Sequence, residues 1–216
     1  MNGRAEQSAR LSKNFQTYIT MRTETRTYTL YRITELSEEA KEKAYNQWLY
    51  NRYFYGWTHE NRQTLDTFCE RFGIVCRNWR YDACNYSYDY RSRQEDCIDR
   101  LSGWRLVVYL TNNHWSDLYT PKFYWNGRKG RKSRILADTC CPLTGYYIDN
   151  YILGPIYGFL KSPSENVTFD NLMNECLDSF FRACRDDMES TQTLEYFTEE
   201  SNANGWEYLS DGKPFN

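Results

Sequence analysis

The sequence predicts an α+β fold, with an antiparallel sheet packed against several amphipathic helices, and three observations carry that prediction. Leu36-Ser37-Glu38-Glu39-Ala40-Lys41-Glu42-Lys43-Ala44 opens a helix with a capping serine and an acidic first turn. Cys84, Tyr86, Tyr88 and Tyr90 recur with period two, the spacing of one face of an extended strand. Behind Thr168, the residues Leu172, Met173, Cys176, Leu177, Phe180, Cys184 and Met188 form a continuous helical stripe. A chain of 216 residues is long enough to bury roughly 70% of its unfolded surface without covalent staples.

Taken in order, residues 1–14 are polar and aperiodic, so residues 1–20 are expected to form a flexible arm ahead of a single α+β domain, 21–216, with Met21 as a second possible start. Thr27 to Ile33 alternates and is expected to be a first strand. In the Ser37-capped helix, Glu39 and Lys43 stand at i, i+4 on the exposed face, while Ala40, Ala44, Tyr45, Trp48 and Leu49 make the buried stripe. Gly56 breaks it. Leu65, Phe68, Cys69 and Phe72 predict a second helix from Thr58, stopped by Gly73, and Ile74 to Tyr81 then reads as a strand.

In the middle of the chain, the Tyr segment and the apolar run Trp104 to Leu110 are expected to be strands of one antiparallel sheet. Asn112 to Trp115 reads as a loop, and so does the basic stretch Gly127 to Arg134 with its glycines. After the Cys140-Cys141-Pro142 corner, Asp149 to Leu160 predicts a short helix with Pro155 near its start or at a kink. A last helix runs from Thr191 to Asn202 and ends at Gly205, with Trp206 to Leu209 as a closing strand.

Composition narrows the chemistry. The chain has 20 Tyr, 11 Phe and 7 Trp, so rings must fill much of the core and bring polar tips to the surface. The net charge of −2 conceals opposite ends: six cations against two acids in residues 1–32, and twelve acids against Arg182 and Arg185 in residues 164–211. The eight cysteines read as reduced thiols of a chain without a leader peptide, and no apolar run reaches the length of a membrane span. A cytoplasmic location is the expectation.

Catalytic and metal chemistry find little support in the spacing. The adjacent Cys140-Cys141 is the only close cysteine pair, against the paired Cys-x(2–4)-Cys units of structural zinc sites, and its side chains should diverge in an extended chain. A Cys-His nucleophile would need His59 or His114, and neither is announced by its neighbours. Glycine-rich phosphate loops are absent. No cofactor, metal or catalytic residue is therefore expected. The candidate binding residues are Arg77, Trp79, Arg80, Tyr86, Tyr88, Tyr90, Arg91 and Arg93, which interleave cations with stacking surfaces, and Arg128, Lys129, Arg131, Lys132 and Arg134 of the basic loop. The same tyrosines could instead build one face of a sheet. The acidic C-terminal helices offer a further surface, for a basic groove on a protein partner.

Over Tyr28 to Ala44 the chain resembles a broad group of uncharacterised proteins of phages, prophages and gut Firmicutes that open with a short strand, then Leu-Ser-Glu-Glu-Ala-Lys-Glu-Lys-Ala and an aromatic helix. Cys141-Pro142-Leu143-Thr144-Gly145-Tyr146 and the tail from Trp206 to Phe215 are similar to that group as well. Some of its members carry an antitoxin-like label, and similar small accessory proteins include anti-CRISPRs and other inhibitors of host defence. The resemblance implies a mobile-element protein acting in a bacterial host cell. The expected function is a non-enzymatic interaction protein that inhibits a host defence system such as CRISPR-Cas by occupying a protein or nucleoprotein surface. The alternative is a nucleic-acid-binding regulator or antitoxin.

Overall fold

The computed structural model describes residues 23–52, 57–93, 96–126 and 129–215; the arm 1–20, Met21 and the break at Gly56 lie outside them. A 3-10 turn at Ile33–Glu35 leads into helix α1 (Glu38–Asn51), α2 (Thr58–Phe72), strands β1 (Ile74–Tyr81) and β2 (Tyr86–Ser92), and the short α3 (Asp96–Asp99). Then come α4 (Gly103–Asn113), α5 (Trp115–Leu118), β3 (Thr120–Asn126), β4 (Lys129–Asp138), α6 (Asp149–Lys161), α7 (Phe169–Ser190) and α8 (Leu194–Asn204). The strands form two antiparallel hairpins, β1–β2 and β3–β4, beside the helices, so the α+β expectation holds.

The helix starts follow from their caps. Ser37 Oγ accepts from the Ala40 N–H, Thr168 Oγ1 from Asn171, and Thr193 Oγ1 from Tyr196, each serving a donor that the first turn leaves without a partner. Gly73 and Gly205 close α2 and α8 in the left-handed conformation that a side chain would resist.

The apolar residues gather into two clusters. The larger joins α2, β1, α4, α5, α6 and α7, with Phe68, Phe72, Phe169, Phe180 and Phe181 fully buried. The smaller is built from the two ends of the described chain: Ile33 and Leu36, then Ala40 and Ala44 of α1, meet Phe197 of α8 and Tyr208 of the tail. Tyr45 hydroxyl, donating to the Gln192 carbonyl at 2.6 Å, and the Arg52–Glu200 ion pair tie α1 to the segment around α8.

α7 is the central element, burying nine of its residues. α6 lies along it and carries Pro155 in its interior, where a ring cannot donate to the Tyr151 carbonyl four residues back. That carbonyl instead accepts the Ser179 hydroxyl of α7 at 2.8 Å. The first residue of α6, Asp149, is fully buried. Its Oδ2 accepts from the backbone N–H groups of Leu143, Thr144 and Gly145 at 2.8 to 3.2 Å, and its Oδ1 accepts the Thr144 hydroxyl at 2.7 Å. Thr64 of α2 shares its single proton between Thr144 and Asp149, at 2.8 and 3.1 Å.

Several expectations are corrected. The first strand and the closing strand reduce to a bridge between Tyr31 and Tyr208, with Tyr208 also bridging Pro214 across the tail's own turn. Trp104 to Leu110 is helical: Leu106 and Leu110, four residues apart, are the buried positions, and a short apolar run does not distinguish strand from helix by periodicity. β2 therefore pairs with β1, from Ile74↔Ser92 to Tyr81↔Tyr86, and not with that segment. The Asn112–Trp115 loop is a single joint at His114 between α4 and α5. Most of the expected basic loop is strand β4, since ladder pairing with β3 engages backbone groups and is indifferent to the charges that argued for a loop. Of the two placements expected for Pro155, near the start of the helix or at a kink, the first is excluded, because it lies inside α6.

Ser179→Ala should strand the Tyr151 carbonyl and cost about 1 kcal/mol, a drop of about 2–4 °C in Tm for a chain of this size. In a Pro155→Ala background, where the helix regains its own donor, the same substitution should cost less than half as much. Equal losses in both backgrounds, by thermal unfolding, would show that the hydroxyl does not serve this carbonyl.

Candidate functional site

The β1–β2 hairpin divides its side chains sharply. On one face Tyr86, Tyr88 and Tyr90 of β2, with Trp79 and Tyr81 of β1, turn towards α7. Their hydroxyls meet a helical row: Tyr90 donates to Asp170 Oδ1 at 2.8 Å, Tyr88 to Asn174 Oδ1 at 3.2 Å and Tyr86 to Asp178 Oδ1 at 2.7 Å. The periods match, because two residues of strand advance about 6.7 Å and four residues of helix about 6.0 Å. Behind the hydroxyls, Phe181 packs against four rings of the hairpin, closest to Tyr88 at 4.9 Å between centroids. Burial pushes the Tyr88 phenol up to about 12, and for Tyr86 the larger cause of an upward shift is the hydrogen bond to Asp178.

The stacking role expected of Tyr86, Tyr88 and Tyr90 is thus corrected: their ring surface is spent on Phe181 and α7. Sequence reasoning missed the partners, although Asp170, Asn174 and Asp178 recur every four residues and so announce a polar row on one side of α7. Part of the acidic surface expected of the C-terminal helices is consumed here too, since Asp178 also pairs with Arg182 and Asp186 with Arg185.

The other face is cationic. Arg77, Arg80, Arg91 and Arg93 are all exposed, and among the described residues none of them is in an ion pair. Asp89, directly across from Arg77, accepts instead from the Asn78 amide at 2.7 Å, and Arg80 Nε donates to the Ser87 hydroxyl at 3.1 Å. A bulge between Arg77 and Arg80, with Asn78 at φ 49°, puts two exposed arginines on one short arc of strand. Arg62 of α2, absent from the sequence-predicted set, joins them with its guanidinium 5.4 Å from the centre of the Trp79 ring. Arg62, Arg77, Arg80 and Trp79 border a shallow cleft of about 550 Å³. Planar guanidinium groups at such a rim suit bidentate contact with phosphate or carboxylate.

Of the basic stretch, Arg128 lies outside the described residues. The backbone places Lys129, Arg131, Lys132 and Arg134 in β4, with Lys129 opposite Asn126 and Arg131 opposite Tyr124.

Four of the eight thiols are held towards their protonated form. Burial pushes the Cys69 thiol up to about 11, Cys76 up to about 12, and Cys176 and Cys184 upward as well, which disfavours the reactive thiolate. Cys140 and Cys141 do not diverge as expected: Cys141 adopts a left-handed backbone, φ 45°, and the two sulfurs lie 3.9 Å apart. Among the described residues no group of three or more His, Cys, Asp or Glu is placed to hold a metal ion, and no helix is long and apolar enough to cross a membrane. Compared with family models, with curated proteins and with solved structures, the chain finds no match.

His114, one of only two histidines, is buried between Phe72, 4.6 Å away in a stacked arrangement, and Tyr109. Its Nδ1 lies 3.4 Å from Asp117 Oδ2 without the alignment of a hydrogen bond, and among the described residues its Nε2 finds no partner. Burial lowers its pKa, with Asp117 opposing. The unfolded chain therefore takes up a proton that the folded chain resists, so this contribution to stability is present above about pH 6.5 and is lost as pH falls below it. His114→Phe should flatten the decline of Tm between pH 7.5 and 5. A wild-type and variant pair whose Tm difference stays constant across that range would contradict the assignment.

Proposed function

We propose that this chain is a non-enzymatic interaction protein of a mobile element that inhibits a bacterial host defence system, CRISPR-Cas among the candidates, by docking its arginine face on the anionic surface of a protein or nucleoprotein. The observation that carries the reading is the sorting of the hairpin: its rings are committed to α7, and four exposed arginines stand together on the opposite side. Among the described residues Asp89 is the one carboxylate of this hairpin face, and it is engaged by Asn78, so the four arginines keep an excess of positive charge that an anionic partner would meet and that would steer it towards contact. The buried Cys69 and Cys76 thiols, held towards their protonated form, and the buried His114, which resists charge, suit structural places in this reading.

The second reading, a nucleic-acid-binding regulator or antitoxin, is favoured by the cleft of Arg62, Arg77 and Arg80 beside Trp79. Without the tyrosine rings on the open face, it would rest on phosphate contacts rather than on base stacking.

Immobilised protein should capture its partner from bacterial lysate with and without nuclease, and the Arg77→Ala/Arg80→Ala/Arg91→Ala/Arg93→Ala variant should lose most of it. Capture by the variant equal to wild type would remove the arginine face from the function. A shift of naked duplex DNA, with affinity falling by a slope of about 0.9 in log–log salt per cation engaged, would select the second reading.

A further inference from the structure

A second cleft, of about 690 Å³, opens between the first turn of α2, the turn entering α6 and the end of α7. Trp57, Tyr147 and Tyr151 supply aromatic walls, and Glu60, Asp186 and Asp187 supply carboxylates. It is opposite in sign to the arginine cleft, although α2 borders both.

Several independent observations set this cleft apart from an ordinary acidic surface. Trp57, Tyr147 and Tyr151 are 53%, 70% and 42% exposed, an unusual gathering of partly exposed rings around one hollow. Tyr147 and Tyr151 meet edge to face at 5.5 Å, so the wall they form is held by its own contact. Glu60 Oε2 is buried yet finds no hydrogen-bond partner among the described residues, where buried polar atoms are nearly always paired. Trp57 holds a left-handed backbone, φ 48°, a costly state for a bulky residue and one that concentrates at binding sites. Asp186 is already matched by Arg185, which leaves Glu60 and Asp187 as the carboxylates with charge to offer. Nearby apolar atoms hold the Asp187 carboxyl above its usual range.

We propose that this cleft binds an organic cation, an alkylammonium or guanidinium group, lodged against the rings with its charge met by Glu60 and Asp187. Each half of the lining selects for that chemistry. Electron-rich ring faces attract a cation and repel an anion. An uncharged apolar ligand would leave the Glu60 oxygen without a donor, and a hard metal ion would gain nothing from walls made largely of rings. The site is independent of the arginine face.

Titration calorimetry of the full chain tests this with spermidine, with N-acetyl-arginine amide and N-acetyl-lysine amide, and with propionate as the control of opposite charge. Saturable single-site binding of the cations and none of propionate is expected. Glu60→Gln should weaken it about tenfold, as loss of a charged hydrogen bond does, and Tyr147→Leu, at a largely exposed position, about threefold. Unchanged far-ultraviolet circular dichroism and Tm would show that both variants fold. Tighter binding of spermidine marks a free polyamine as the ligand; tighter binding of a blocked amino acid marks a basic side chain of a partner protein. The proposal fails if no cation saturates, if propionate binds equally, or if Glu60→Gln and Asp187→Asn leave affinity unchanged.

Discussion

Phe181, fully buried on α7, carries the rings of Trp79, Tyr81, Tyr86 and Tyr88, and this cluster decides which way the β1–β2 hairpin faces. The three tyrosine hydroxyls then fix its register along α7, because each finds a polar residue one helical step from the last. A slip of one residue would exchange the faces, setting Ser87, Asp89 and Arg91 against Phe181 and the rings against water. The cationic face is thus a by-product of aromatic packing: the arginines are outside because the rings are inside.

α2 couples that packing to the rest of the surface. It presents Arg62 to the cleft beside Trp79 and Glu60 to the cleft beside Tyr147, so two hollows of opposite charge are separated by little more than its first two turns. Its position against α6 depends on a buried carboxylate, Asp149, which gathers three backbone donors and two threonine hydroxyls drawn from both sides of the joint. A charge so fully supplied with donors tolerates burial, whereas the same charge with one donor missing would not. The turn it anchors also carries Tyr146 and Tyr147, so the aromatic wall of the acidic cleft inherits its placement from an interaction deep in the core.

Elements defined by local chemistry were legible in the sequence. Ser37, Thr168, Gly73 and Gly205 mark helix ends through their own hydrogen bonds or backbone preference, and the structure places ends at all four. β1 has the limits its pattern predicts. What was not legible depended on partners distant in the chain. Trp104 to Leu110 has the composition of a strand, and only the neighbours of Leu106 and Leu110 reveal a helix. For the proposed binding surface, Arg77, Arg80, Arg91 and Arg93 could be chosen from sequence as cations in an alternating segment, but not the fact that the tyrosines of that segment face the other way. Arg62 and Glu60 carry no local signal at all, since only the folded chain sets Arg62 over Trp79 and Glu60 in the lining of the second cleft.

The pairing of Pro155 with Ser179 has an evolutionary reading. A proline inside a helix leaves one carbonyl without its donor and a serine on the neighbouring helix supplies one, so the serine is not freely replaceable while the proline stays. Among descendants of this chain the two positions should change together, with loss of the proline coming first and relaxing selection on the serine. Such a coupled pair would stand out in comparisons as a mark of shared constraint, yet its origin would be a single peptide oxygen, with no bearing on what the protein binds.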